Sequence, residues 1–240
     1  MKYIYGPIHS RRLGLSLGLS LTPHKTCSFD CVYCQLGRTS VHSRERKQYF
    51  TAEEVLGEVN SWIANNPEQA KILDYITISG SGEPTLNSDI GELIGSLKKN
   101  VPAAKVAVIT NSSMLGDPLV RRQVLGADLI VPSLDGATEE AFQKIDRPCP
   151  GIKLEEIIEG LVSLRREFKG RIWLEVMLVK GINDNIAHTR KLAEVIERIN
   201  PDKVQLNSPV RYTADPGTEP LDIKHLERIK ELLGEKCEII

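Results

Sequence analysis

Three of the chain's five cysteines fall within Thr26-Cys27-Ser28-Phe29-Asp30-Cys31-Val32-Tyr33-Cys34, a C-x3-C-x2-C array. Thiols grouped this closely, in a set of odd number, make a poor disulfide framework and a good ligand set in a reducing compartment. Three thiolates at this spacing can hold three irons of a cubane cluster and leave the fourth iron without a protein ligand. An open metal position is what catalytic sites keep and structural sites fill. The same triplet admits a zinc knuckle completed by His24, His42 or Cys149, although structural zinc sites favour C-x2-C pairs and no second pair exists here. Buried structural thiols are a third reading.

Such ligands need a scaffold, and the pattern of apolar residues describes one. Runs rich in β-branched residues predict strands at Leu15–Leu21, Tyr75–Ser79, Val106–Thr110, Leu129–Leu134, Ile172–Val179 and Val204–Leu206. Helical periodicity predicts helices at Ala52–Ala64, Ile90–Lys99, Pro118–Leu125, Glu139–Ile145, Leu154–Phe168, Asn185–Ile199 and Ile223–Leu233. Thr51 with Glu54 reads as a capping box, and Asp117 and Asp184 read as N-caps. Strands that alternate with helices imply parallel β/α units, because parallel neighbours need a crossover of helical length. In such folds the loops after the strands converge on one mouth. Those loops begin here with the cysteine array, Ser79-Gly80-Ser81-Gly82-Glu83-Pro84-Thr85, Thr110-Asn111-Ser112-Ser113, Ser133-Leu134-Asp135, Lys180-Gly181 and Asn207-Ser208-Pro209. Polar residues and glycines follow every apolar run.

With 240 residues, 41% apolar and 26% charged, the chain has the length and composition of a globular α/β protein rather than a disordered or membrane one. No composition break marks a second domain, so residues 1–240 are expected to form one. No apolar run reaches spanning length, and the opening segment lacks a leader pattern, which predicts a cytoplasmic chain. The formal net charge is −1, yet residues 1–50 carry eight Lys or Arg and two Asp or Glu. The basic surplus and the cysteines share one segment.

Taken with Gly82-Glu83-Pro84 after the second expected strand, the cysteine array resembles the signature of radical S-adenosylmethionine (radical SAM) enzymes, C-x3-C-x-aromatic-C, with Tyr33 at the aromatic position. The resemblance runs from about Gly14 to Leu233. It implies a partial (β/α)6 TIM-like barrel, the radical SAM core, in which Cys27, Cys31 and Cys34 hold a 4Fe-4S cluster. It further implies that S-adenosylmethionine chelates the fourth iron and is cleaved by one electron to methionine and a 5′-deoxyadenosyl radical, which abstracts a substrate hydrogen. On this reading Gly82 lets backbone approach the cofactor's amino group, Pro84 fixes the turn and Tyr33 lies against the adenine. Asn111, Ser133 and Asp135 suit the ribose hydroxyls or the methionine end of the cofactor. Glu83 belongs to the same set, or pairs with an Arg or Lys of its own barrel. Asp135 or Glu175 could face the cationic sulfonium, and Lys180 or Arg211 an anionic end of cofactor or substrate. The competing class is a noncatalytic zinc or nucleic-acid-binding module.

The segments Tyr5–Gly14, Lys25–Thr39 and Asp146-Arg147-Pro148 resemble the subgroup related to tRNA wyosine-base synthases. That subgroup carries a second cluster on cysteines upstream of the first, whereas no cysteine here precedes Cys27, and Cys149 and Cys237 cannot form such a site. The size also resembles the simplest glycyl-radical-enzyme activases. Either resemblance implies a macromolecular substrate, a tRNA base or a protein, able to cover an incomplete barrel for which little chain remains. The tail from Cys237 could add a strand to the gap. The basic segment, with Arg11, Arg12, Arg44 and Arg46, fits tRNA, an anionic small substrate or, as preferred, a flavodoxin or ferredoxin electron donor.

Overall fold

A computed structural model describes all residues 1–240. Strands β1 (Ile4–Ser10) and β2 (Gly14–Ser20) form an antiparallel hairpin, followed by a short ribbon of β3 (Thr26–Cys27) and β4 (Val41–His42). The chain then alternates: α1 (Ala52–Asn65), α2 (Pro67–Lys71), β5 (Tyr75–Ser79), α3 (Ile90–Asn100), β6 (Lys105–Thr110), α4 (Pro118–Val124) and β7 (Leu129–Pro132). It continues through α5 (Glu139–Ile145), α6 (Leu154–Glu167), β8 (Arg171–Met177), α7 (Ile186–Ile199), β9 (Lys203–Asn207), α8 (Ile223–Leu233) and β10 (Cys237–Ile239). One sheet runs in the order β1-β2-β5-β6-β7-β8-β9-β10, parallel from β2 onward. Its edges, β1 and β10, do not pair with each other, so the barrel is incomplete.

Alternation along the strands decides what the sheet faces. Outward residues such as Leu17, Leu19, Ile76, Ile78, Val106 and Val108 join helix residues in a core cluster of 50 buried side chains. Each fully buried Leu or Ile contributes about 1.5–3 kcal/mol, so this layer dominates stability. Helix starts follow the local chemistry. The Thr51–Glu54 capping box opens α1, and Asp117 accepts from Leu119 N at α4. Asn185, rather than the expected Asp184, caps α7; Asp184 instead accepts from Gly181 N at 3.0 Å.

All six expected strands and all seven expected helices are present. Strand β1 was not expected, because Gly6-Pro7 interrupts its alternation and the register shifts between Tyr5 and Ile8. The tail does add a strand, β10 beside β9, which extends the sheet without closing it.

Candidate active site

The cysteine loop is held at the C-terminal ends of the barrel strands by backbone hydrogen bonds on two sides. Val32 N donates to Ile145 O (2.9 Å), Asp30 N to Asp146 O (3.0 Å) and Cys149 N to Ser28 O (2.8 Å), fastening it to the segment after α5. From the other side Asp215 N donates to Val32 O (2.9 Å), so the loop after β9 laps over it. Arg38 and Arg147 both pair with Asp215, and Arg38 also with Asp30.

Each cysteine sulfur meets a different neighbour. Asn111 Nδ2 lies 3.5 Å from Cys27 Sγ, Asp146 Oδ1 3.6 Å from Cys31 Sγ, and Lys25 Nζ 3.1 Å from Cys34 Sγ. No three His, Cys, Asp or Glu side chains converge as ligands of a single ion do. His42 Nε2 is engaged with Ser28 O instead, which counts against the zinc knuckle. A cluster that offers each thiolate its own iron fits the triplet better. Burial pushes the Cys27 thiol up to about 12 and the Cys31 thiol higher than a free thiol, so both need a positive partner to ionise. Iron would supply that charge, and buried Lys25 adds to it at Cys34.

Gly82 has a steric reason to be glycine: a Cβ there would stand 2.0 Å from Thr26 O. The turn after β5 thus packs directly onto the residue before Cys27, and Glu83 N donates to that same oxygen at 3.1 Å. Pro84 starts a single 3-10 turn that buries Pro84, Thr85 and Leu86. Glu83 is 2% exposed and pairs with no Arg or Lys. Its carboxylate accepts from Thr110 Oγ1 (2.7 Å), Asn111 N (2.7 Å), Thr85 N (2.9 Å) and the Thr85 hydroxyl. Burial pushes this carboxyl up while the four donors oppose the shift. Glu83 therefore clamps the ends of β5 and β6 and sets the backbone of Asn111.

Tyr33, Asn111, Ser133 and Asp135 meet around one small gap, with room for about one water molecule, together with Phe29, Phe142 and Asp146. The Tyr33 hydroxyl donates to Asp135 Oδ2 across it, while Asp135 Oδ1 accepts from Met177 N at 2.7 Å. Asn111 Nδ2 donates to Ser28 Oγ at 3.0 Å. Asp146 sits against Asp135, and burial raises both carboxyls, Asp135 to about 6. Two adjacent buried acids cannot both ionise at little cost, so the pair retains a proton well above the ordinary carboxylate range. Sequence reasoning missed Lys25 and Asp146 as site residues, although both lie in segments whose resemblance it had noted.

The remaining candidates are placed elsewhere. Glu175 is on the inward face of β8 and pairs with Arg12 at 2.5 Å, so its charge is already matched. Lys180 pairs with Glu219 at the surface, and Arg211 donates to Gln35. The basic segment does not form one surface, as its grouping in sequence suggested. Arg12 turns into the barrel, Arg46 donates to Thr85 O and Asn87 O, and Arg11 lies in the β1–β2 turn at the opposite end of the strands. Arg38, Arg44 and Arg211 remain exposed around the mouth. Cys149 and Cys237 are buried, the latter in the outer core.

A partial parallel barrel whose cysteine loop, glycine turn and polar strand ends meet at one mouth defines an enzyme of the iron-sulfur, S-adenosylmethionine-dependent class. The family model of the radical SAM superfamily matches residues 21–193, and the chain belongs to that superfamily, whose members use a 4Fe-4S cluster and S-adenosylmethionine. A protein of Brachyspira hyodysenteriae named GTPase Obg is 39% identical over 99% of this chain, which spans 34% of that protein's length. A UPF0026 protein of Methanocaldococcus jannaschii is 34% identical over 98% of this chain and 72% of its own. Among solved structures, TYW1 with a lysine-pyruvate adduct superposes with a TM-score of 0.65 at 19% identity, covering 91% of this chain and 72% of its own, a likeness of fold. No helix is long and apolar enough to cross a membrane.

Proposed function

We propose that Cys27, Cys31 and Cys34 hold the 4Fe-4S cluster and that the barrel mouth beside them binds S-adenosylmethionine. The observation that carries this reading is the convergence of Tyr33, Asn111, Ser133 and Asp135 beside the cysteine loop. When bound, cluster and cofactor supply one-electron cleavage to methionine and a 5′-deoxyadenosyl radical that removes a hydrogen atom from the substrate. The chain's own residues have positioning tasks. Gly82 and Glu83 hold the cysteine loop against β5 and β6, which fixes Asn111 beside Cys27. Tyr33 offers a flat face, and its bond to Asp135 sets the ring's orientation.

The substrate on this reading is macromolecular, a tRNA base or a protein segment. Leu36, Val210 and Tyr212 stand 46%, 69% and 73% exposed on the two loops that meet at the mouth, an apolar surface suited to a large partner. Exposed Arg38, Arg44 and Arg211 suit an acidic flavodoxin or ferredoxin that delivers the electron. Anaerobic reconstitution tests the reading. The expected result is about four iron and four sulfide per chain, with 5′-deoxyadenosine formed under dithionite. A colourless protein that binds one zinc would overturn it.

A further inference from the structure

The barrel's inward face divides into two halves. On β6 and β7 it is apolar, where Ala107, Leu129 and Val131 enclose Leu13 of the β1–β2 turn. Across the lumen, β8, β9 and β10 present Glu175, Gln205, Asn207 and Glu238, with Trp173 and Met177 to either side of Glu175, because their alternate residues Leu174, Val204, Leu206 and Cys237 face the helices. Arg12 reaches Glu175 Oε2 at 2.5 Å, and Asn207 Nδ2 donates to Glu175 Oε1 at 3.3 Å. Gln205 Nε2 donates to Glu238 Oε1 at 2.8 Å, and Lys203 pairs with Glu238 at 3.0 Å.

Two features of this half point to a guest. Gln205 is 1% exposed and its Oε1 has no hydrogen-bond partner. Glu238 fixes which way the amide faces, so the bare atom is an acceptor that lacks a donor, a costly state inside a protein. The charges of this half are moreover matched in pairs, Arg12 with Glu175 and Lys203 with Glu238. A charged guest would have to break a pair or lie buried without a counter-ion. Arg12 is the member of this half that reaches solvent, its side chain 20% exposed, and Tyr5, whose ring lies over Gly18, is 38% exposed at the open side of the sheet.

We propose that the polar half of the lumen binds an uncharged amide-type group of the substrate, its N–H donating to Gln205 Oε1 and its carbonyl accepting from Arg12. The assignment of this group as substrate rests on the radical reading above; its binding does not. Benzamide, benzoate and benzamidinium share a shape and differ in charge, so they serve as probes. Each is titrated into cluster-loaded protein saturated with S-adenosylmethionine, without reductant, while the indole resonance of Trp173, two residues from Glu175 on the same face, is followed in a Trp62→Phe background. Benzamide alone should shift the resonance, and Gln205→Leu should weaken it about tenfold, the loss of one buried hydrogen bond. Glu175→Gln, which leaves Arg12 unmatched, should transfer the preference to benzoate, a gain that misfolding cannot mimic. Tighter binding of either ion to the wild type, no binding of benzamide, or an unchanged preference in Glu175→Gln would overturn the proposal. Iron content and 5′-deoxyadenosine formation, measured on the same sample, report separately on the radical reading.

Discussion

The two faces of one sheet are built for different ends. Outward, strand residues share a single apolar cluster with the helices; inward and at the mouth, apolar packing shrinks to two clusters of four buried residues each, set among hydrogen bonds and matched charges. The outer face can hold the fold without help from the inner one, which leaves the lumen and mouth free to carry polar groups that a core would exclude. Substitutions on the two faces should therefore fail in different ways.

The largest contrast is between cluster and fold. Cys31→Ala should reduce iron to background and abolish 5′-deoxyadenosine formation while leaving the circular dichroism spectrum intact, since Cys31 only borders the outer core. Cys237→Ala, inside that core, should keep its iron and lose stability. Normal iron in Cys31→Ala would break the assignment of the triplet.

Next in size is a pure core deletion. Leu17, fully buried on the outward face of β2, should cost about 2–5 kcal/mol on truncation to Ala. Denaturant unfolding measures it. A loss no larger than that of Ser16→Ala, one residue along on the inward face, would undo the division of labour between faces.

Glycine to alanine gives opposite signs in the two regions. At Gly82 the new methyl meets Thr26 O at 2.0 Å, so the turn or the cysteine loop must move, at about 1–3 kcal/mol, with reduced iron uptake. At Gly57 in α1 nothing lies within 4 Å, and the same change should stabilise by about 0.5–1 kcal/mol. Equal effects at both positions would show that the contact at Thr26 carries no weight.

The sequence made the outer face plain because its signal is local: a period of two in strands and 3.6 in helices needs only neighbouring residues. The cysteine array, Gly82-Glu83-Pro84 and the polar strand ends were legible for the same reason. What was hidden depends on closure of the chain. Arg12 and Glu175 are 163 residues apart, and Cys31 and Asp146 are 115. Grouping in sequence also misled: within the basic segment Arg12 points into the barrel, Arg46 along its wall and Arg11 to its far end, and Arg38 and Arg44 stay exposed at the mouth. Gly82 was expected to let backbone approach the cofactor; its second role, a close contact of the missing Cβ with Thr26 O of the cysteine loop, depends on the fold and could not be read from the sequence.

The smallest expected effect lies where the two faces are joined. His188 on α7 is 3% exposed, and its Nε2 accepts from Ala137 N at 2.9 Å, tying the Asp135 segment to the outer helical layer. An imidazole that must accept there cannot also be protonated there, and burial lowers its pKa despite nearby Asp184. Because the folded protein binds this proton less readily than the unfolded chain, the contribution is complete above the ordinary value of about 6.5 and is lost as pH falls below it toward the folded-state value. Asp135 acts in the same window with the opposite sign: burial raises its carboxyl to about 6, so its contribution grows as pH falls. The wild-type curve mixes the two. His188→Gln keeps an acceptor for Ala137 N and removes the titration, so the difference between variant and wild-type stability should change by a few tenths to about 1 kcal/mol between pH 7.5 and 5.5, in the variant's favour on acidification. A difference that stays flat across that interval would mean that His188 keeps its ordinary affinity for a proton, and that the link between the site and the helices does not depend on the neutral ring.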